Sequence, residues 1–254
     1  MFRFFGKSRK ATPRKLSTRH QLGLDTKLEN RLVPTTVTLA NSILAVEGTS
    51  DGNHIQLEVT NPTKRSGAMV TVMDNGQTMG MFPLAQIKRI EVRGFGGDDK
   101  ISVTGALGVT ALLDGGEGND AIAAGDSGAI ILGRGGDDLL FGGAGRDLLI
   151  GGKGADSVSG NGGEDIVIGD STQADDNTAA LFNIFETWNS NLSYEERVKM
   201  LRPNPEIMRP NRVPDLTLID DGATDVLAGG AGRDWFLTLG SDKITDIDNT
   251  EVVM

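Results

Sequence analysis

Residues 115–168 read GGEGNDAIA AGDSGAIIL GRGGDDLLF GGAGRDLLI GGKGADSVS GNGGEDIVI, six successive units of nine with nothing inserted between them. A fixed short period is the mark of a chain that stacks one small unit on the next. The eighth positions are Ile122, Ile131, Leu140, Leu149, Val158 and Val167, all apolar. The sixth positions are Asp120, Ala129, Asp138, Asp147, Asp156 and Asp165, so only the second unit lacks the acid. A disordered Gly/Asp-rich segment has no reason to keep an apolar residue in such register.

The spacing also carries chemistry. Glycine at positions one, two and four admits positive φ and close backbone approach, so six residues can wind a tight loop with carbonyl oxygens on one side. The site residues expected there are Gly116, Gly118, Gly136, Gly143, Gly145, Gly152, Gly154 and Gly163. Asp at position six adds a carboxylate, and a ring of carbonyl and carboxylate oxygens suits Ca²⁺, a hard cation that takes 6 to 8 oxygens at about 2.3–2.6 Å. The last three residues make a minimal strand whose middle side chain points inward. Successive strands then alternate between two sides of a flattened right-handed coil, and loops n and n+2 pair. One row holds Asp120, Asp138 and Asp156, giving two calcium sites; the other holds Asp147 and Asp165, giving one, because Ala129 brings no carboxylate. In that scheme Asp138 serves two sites and the terminal Asp120 one, so Asp138→Ala loses more calcium than Asp120→Ala. A coil stacked without calcium would leave rows of like charge facing one another.

Outward from the repeats, GFGGDDKIS at 94–102 is a further copy out of frame, and DDGATDVLA and GGAGRDWFL at 220–237 resume the pattern with Asp225 and Asp234 at position six. The window 94–169 holds 23 of the 35 glycines. Residues 36–93 carry short β-prone runs separated by turn formers such as Asp74-Asn75-Gly76. Residues 172–216 differ: Leu181, Ile184, Phe185 and Trp188 recur at helical spacing. Ser193 and Glu196 make a capping box for a second helix, and Pro203, Pro205, Pro210 and Pro214 end it. The organisation expected is a basic, disordered segment at 1–35, a small all-β section at 36–93, the repeat coil at 94–171, a helical insert at 172–216, and the resumed repeats with a cap at 217–254.

The net charge of −10 is uneven, since residues 1–36 carry nine Lys or Arg against two acids, leaving 33 acids and 16 bases in the remainder. So acidic a body makes nucleic acid a poor partner and cations good ones. No stretch approaches the roughly 18 apolar residues of a membrane span, and the apolar residues at 1–5 are too few for the core of a standard secretory signal. Cysteine is absent, which removes disulfides, thiolate metal sites and a cysteine nucleophile.

The repeats resemble those of the RTX, or haemolysin-type, calcium-binding proteins, strongly over 115–168 and well over 220–237. The segments Leu28-Glu29-Asn30-Arg31-Leu32-Val33-Pro34 and Asp234-Trp235-Phe236 are also similar to a group of bacterial RTX-type proteins. The resemblance implies a parallel β-roll or β-helix, so that the fold class expected is mainly β, with the small all-β section at the N-terminal side and the helical hairpin inserted. It also implies several bound Ca²⁺ ions and an extracellular or cell-surface location reached by secretion, with 239–254 a place for a sorting signal.

No enzyme is expected. The two histidines are His20 and His54, and neither accompanies a GxSxG nucleophile motif. The pairs Asp98/Asp99, Asp137/Asp138 and Asp220/Asp221 all lie in or beside repeat loops, where ligand duty accounts for them. A second reading is an adhesive or matrix protein that presents a β face to a polysaccharide or protein partner; a third is a degenerate hydrolase or epimerase that has kept only its repeats. The sequence leaves the oligomeric state open. One further expectation comes from positions seven and nine of alternate units. Ile130, Leu132, Leu148, Ile150, Ile166 and Ile168 form an apolar stripe on the outside of one face, and the helical hairpin is expected to fold back over it.

Overall fold

A nine-residue unit allows three residues of strand and six of loop, and the chain uses both in alternation. The computed structural model describes residues 35–60, 67–202 and 216–254. The basic segment, apart from Thr35, lies outside the described residues, as do Pro203, Pro205, Pro210 and Pro214. Strands Ala121–Ala123, Leu139–Phe141, Ser157–Ser159 and Val226–Ala228 lie side by side and parallel in one sheet. Ala129–Gly135, Leu148–Lys153, Ile166–Thr172 and Trp235–Leu237 do the same in the other. Leu140 sits opposite Ile122 and Val158, and Leu149 opposite Ile131 and Val167. This is the n/n+2 register of a parallel β-roll.

The eighth-position side chains meet between the sheets. Ile122, Ile131, Leu140, Leu149, Val158 and Val167, continued by Leu227 and Phe236, are each at most 1% exposed and form one core. Burying each such side chain contributes about 1.5–3 kcal/mol, repeated at every turn of the coil.

The coil begins before the glycine-rich repeats. Ile43–Glu47 pairs in parallel with Arg89–Gly96, which pairs with Thr110–Glu117, and His54–Thr60 pairs in parallel with Lys100–Thr104. Residues 36–93 thus share both sheets and the same core with the repeats. Antiparallel hairpins finish this end: Thr36–Ala40 against Ile43–Glu47, turning at Asn41 and Ser42, and Met69–Asp74 against Gln77–Pro83, turning at Asn75 and Gly76, with all four turn residues at positive φ. Two positive φ values in a two-residue loop give the type I′ turn that suits twisted strands.

Two helices leave the coil after strand Ile166–Thr172. Helix α1 (Thr178–Trp188) starts where Asn177 Oδ1 accepts the Ala180 N–H, and α2 (Tyr194–Leu201) starts with the Ser193/Glu196 capping box. The stripe Ile130, Leu132, Leu148, Ile150, Ile166 and Ile168 forms a second core with Leu181, Ile184, Phe185 and Trp188. The hairpin is therefore the lid its apolar spacing demands. Arg197 of α2 is buried, donates to the Trp188 carbonyl at 2.9 Å, lies over the Trp188 ring, and pairs with Glu164 of the coil. Glu164 is shared with Arg146 at 2.8 Å. No helix among the described residues is long and apolar enough to cross a membrane.

Candidate calcium sites along the coil

The loops place their position-six residues in two rows. In the first, the Asp99 N–H donates to Asp120 Oδ1 (2.7 Å), Asp120 to Asp138 (2.7 Å), Asp138 to Asp156 (2.8 Å) and Asp156 to Asp225 (2.8 Å). In the second, Ala129 donates to Asp147 (2.6 Å), Asp147 to Asp165 (2.8 Å) and Asp165 to Asp234 (2.8 Å). Every carboxylate thus reaches one turn back along its own row. A parallel ladder runs outside the first row at position five, where Asn119, Asp137 and Ala155 N–H groups donate to Asp98, Asn119 and Asp137.

Position one is glycine for lack of space. A Cβ on Gly151 would strike Asp156 Oδ2 and the Gly169 carbonyl, and Gly115, Gly133 and Gly160 meet Asp120, Asp138 and Asp165 in the same way. None of these is at positive φ. Left-handed backbone belongs to positions two and four, as at Gly116, Gly118, Gly136, Gly152, Gly154 and Gly163. Gly143 and Gly145 are the exceptions, held to glycine by the backbone of Gly125 and Gly128. Of the two freedoms that glycine offers, position one uses close approach and not positive φ. Arg134 and Asn161 take position two at φ 86 and 67, strained for residues with a Cβ.

The second carboxylate oxygen decides the chemistry, although Asp147 Oδ2 accepts the Gly143 N–H at 2.7 Å. Oδ2 of Asp99, Asp120, Asp138, Asp156, Asp165 and Asp234 is buried with no hydrogen-bond partner among the described residues. Burial pushes the Asp120, Asp138 and Asp147 carboxyls up to about 7, Asp156 to about 8 and Asp165 to about 9, with neighbouring aspartates adding to the rise at all but Asp147. A buried anion without a partner is costly unless a cation meets it. All the donors here are oxygen, from Asp side chains and loop carbonyls, which is the set a hard divalent ion prefers. The residues present fit calcium.

The profile of the RTX calcium-binding nonapeptide repeat matches residues 141–171 and 217–242, with four copies. These segments are RTX repeats. RTX nonapeptide repeats bind Ca²⁺, and several copies imply several ions. No curated protein and no solved structure matches the chain.

The RTX geometry extends beyond the matched residues. Asp99 joins the first row although its copy is three residues out of step, because the path from Ser102 to Ala111 is three residues longer than the equivalent path from Ala123 to Ala129. Gly48 and Asn53 stand as Gly94 and Asp99 do, and the Asn53 N–H donates to Asp99 Oδ1 at 2.6 Å. The row therefore opens on a neutral residue. Asp120 and Asp156, expected at the ends of their row, are interior, flanked by Asp99 and Asp225. Asp225 and Asp234 enter the first and second rows, so the RTX order resumes across the insert. Nothing in the repeat pattern signals Asp170 or Asp242, whereas the copy GFGGDDKIS and the pairs Asp98/Asp99 and Asp137/Asp138 already mark Asp99 and the position-five acids for ligand duty.

Proposed function

We propose that this chain is a non-catalytic calcium-binding roll whose ions lie between loops n and n+2. Their carboxylates would come from Asp120, Asp138 and Asp156 in one row and Asp147 and Asp165 in the other, with Asp225 and Asp234 continuing them. Loop carbonyls around Gly116, Gly118, Gly136, Gly143, Gly145, Gly152, Gly154 and Gly163 complete the oxygen shells. What carries this reading is the repeated buried Oδ2 with no donor. A cation on each converts repulsion within a row into attraction, so binding free energy becomes folding free energy. Calcium at about 10⁻⁴–10⁻³ M, the range of extracellular modules, closes the coil outside the cell, and the lower cytosolic level leaves it open. The test is far-UV circular dichroism in chelator and then with added Ca²⁺, beside the number of ions bound. A gain of β signal with several ions per chain is expected; full structure in chelator overturns the coupling.

A second reading, presentation of a β face to a partner, is favoured by the sheet whose outer face no described helix covers. Leu139, Phe141 and Val226 are 39%, 37% and 41% exposed there, and Leu139 and Val226 flank Ser157 in one line across the strands. Replacing Leu139 and Phe141 by Ser should abolish retention on surface polysaccharide while sparing calcium binding; unchanged retention removes this reading.

A further inference from the structure

The helical insert interrupts a loop rather than a strand. Gly169 lies against the Asp225 carboxylate as Gly151 lies against Asp156, so positions one and six of a single loop are separated by the whole lid. Asp170 follows in register with Gly152, at position two, where the preceding loops of that side have Gly116, Arg134 and Gly152. The chain returns through Leu218–Ile219, antiparallel to Ser171 and Thr172, and this brings Asp220 and Asp221 beside Asp170.

Five carboxylates converge on this splice. Oxygens of Asp170, Asp220 and Asp221 lie within 4.8 Å of one another, and so do those of Asp170, Asp225 and Asp242. Two oxygens bound to one calcium at 2.3–2.6 Å stand at most about 5 Å apart, so either trio is close enough to hold an ion, and Asp170 is common to both. Asp170 is 3% exposed and its Oδ2 has no hydrogen-bond partner among the described residues. The flanking acids are already oriented: Gly222 N–H donates to Asp220, Ala223 and Gly154 N–H groups to Asp221, and Asp225 N–H to Asp242. Among the described residues none of the five is in an ion pair.

We propose that Asp170, with Asp220, Asp221, Asp225 and Asp242 around it, binds a calcium ion that fastens the exit and the return of the helical insert. The nonapeptide pattern does not specify this site, since Asp170 stands where the pattern calls for glycine and Asp220 and Asp221 belong to the returning chain. It rests on the calcium-binding reading above for the identity of its cation alone. The ion ties the lid to the roll, so the lid becomes calcium-dependent at its hinge.

The experiment uses the full chain and calcium alone. Bound ions are counted by equilibrium dialysis across free Ca²⁺, and limited proteolysis at saturating Ca²⁺ follows cleavage within 172–216, for wild type, Asp170→Asn, the exposed pair Asp220→Asn/Asp221→Asn, and Asp138→Asn as a roll control. The expected result is one ion fewer in Asp170→Asn, a weakened step of the same stoichiometry in the double variant, and cleavage at least several-fold faster in both than in Asp138→Asn. Should Asp170→Asn fail to fold, the double variant decides. Wild-type stoichiometry and affinity in both splice variants, beside a deficit in Asp138→Asn, overturns this site alone. No calcium on the wild type overturns the calcium reading together with it.

Discussion

Asp165 accepts the Asp147 N–H, yet burial, and then the charge of Asp147, push its carboxyl up to about 9. Asp156 is raised to about 8, and Asp99, Asp225 and Asp234 to about 6. A folded value above the unfolded 3.8 means that the group supports folding fully below about pH 4 and that this support is lost as pH rises through the folded value. Without calcium, the thermal midpoint should therefore fall between about pH 5 and pH 9, and Asp165→Asn should flatten that fall. With calcium the anion is the bound form, so loading at pH 6 releases protons, measurable by calorimetry in buffers of different ionisation enthalpy. A chelated midpoint independent of pH would count against rows of unpartnered carboxylates. Space is the other constraint at this scale. Gly151→Ala should cost about 1–3 kcal/mol by overpacking against Asp156, whereas Gly67→Ala, with nothing within 4 Å, should leave denaturant midpoints unchanged.

The inward strand residue and the loop glycines are separable requirements, and this governs what the sequence discloses about each element. A coil turn needs an apolar eighth position and a parallel neighbour. Gly and Asp are needed for the carboxylate and its cradle. Strands such as Ile43–Glu47 and Arg89–Gly96 meet the first requirement without the nonapeptide pattern, so composition alone sets 36–93 apart although they share the sheets. The lid is legible for the converse reason, since six large apolar side chains on an outer face require cover and α1 carries a matching stripe nearby. Arg197 was not legible: its partners Trp188 and Glu164 come together only once the hairpin is closed. Ile184, 0% exposed, tests the element. Ile184→Glu places a charge against the stripe, and it should raise dye binding and lower stability by at least the roughly 2–5 kcal/mol of a core truncation, while the loops of both rows keep their calcium. Unaltered dye binding would mean that the helices do not seal the face.

Over the whole molecule the two rows run past the repeats that announce them. Asp120 has Asp99 on one side and Asp138 on the other, so Asp120→Ala and Asp138→Ala should lose equal amounts of bound calcium, and metal analysis of the two variants decides it. Unequal losses would confine the first row to the nonapeptides proper. Ala129 opens the second row with an N–H but no carboxylate, and Ala129→Asp should add an ion next to Asp147. The hydrogen bonds of the first row also have a direction. The position-six N–H of each turn is accepted by the carboxylate of the next, while the exposed position-five bonds run the other way. In a chain assembled from its amino end, each arriving aspartate therefore finds a donor for its Oδ1 already in place. Its Oδ2 is left for the cation. Growth from the opposite end would leave a carboxylate with neither oxygen partnered at every step, so the coil carries a built-in arrow from its amino end.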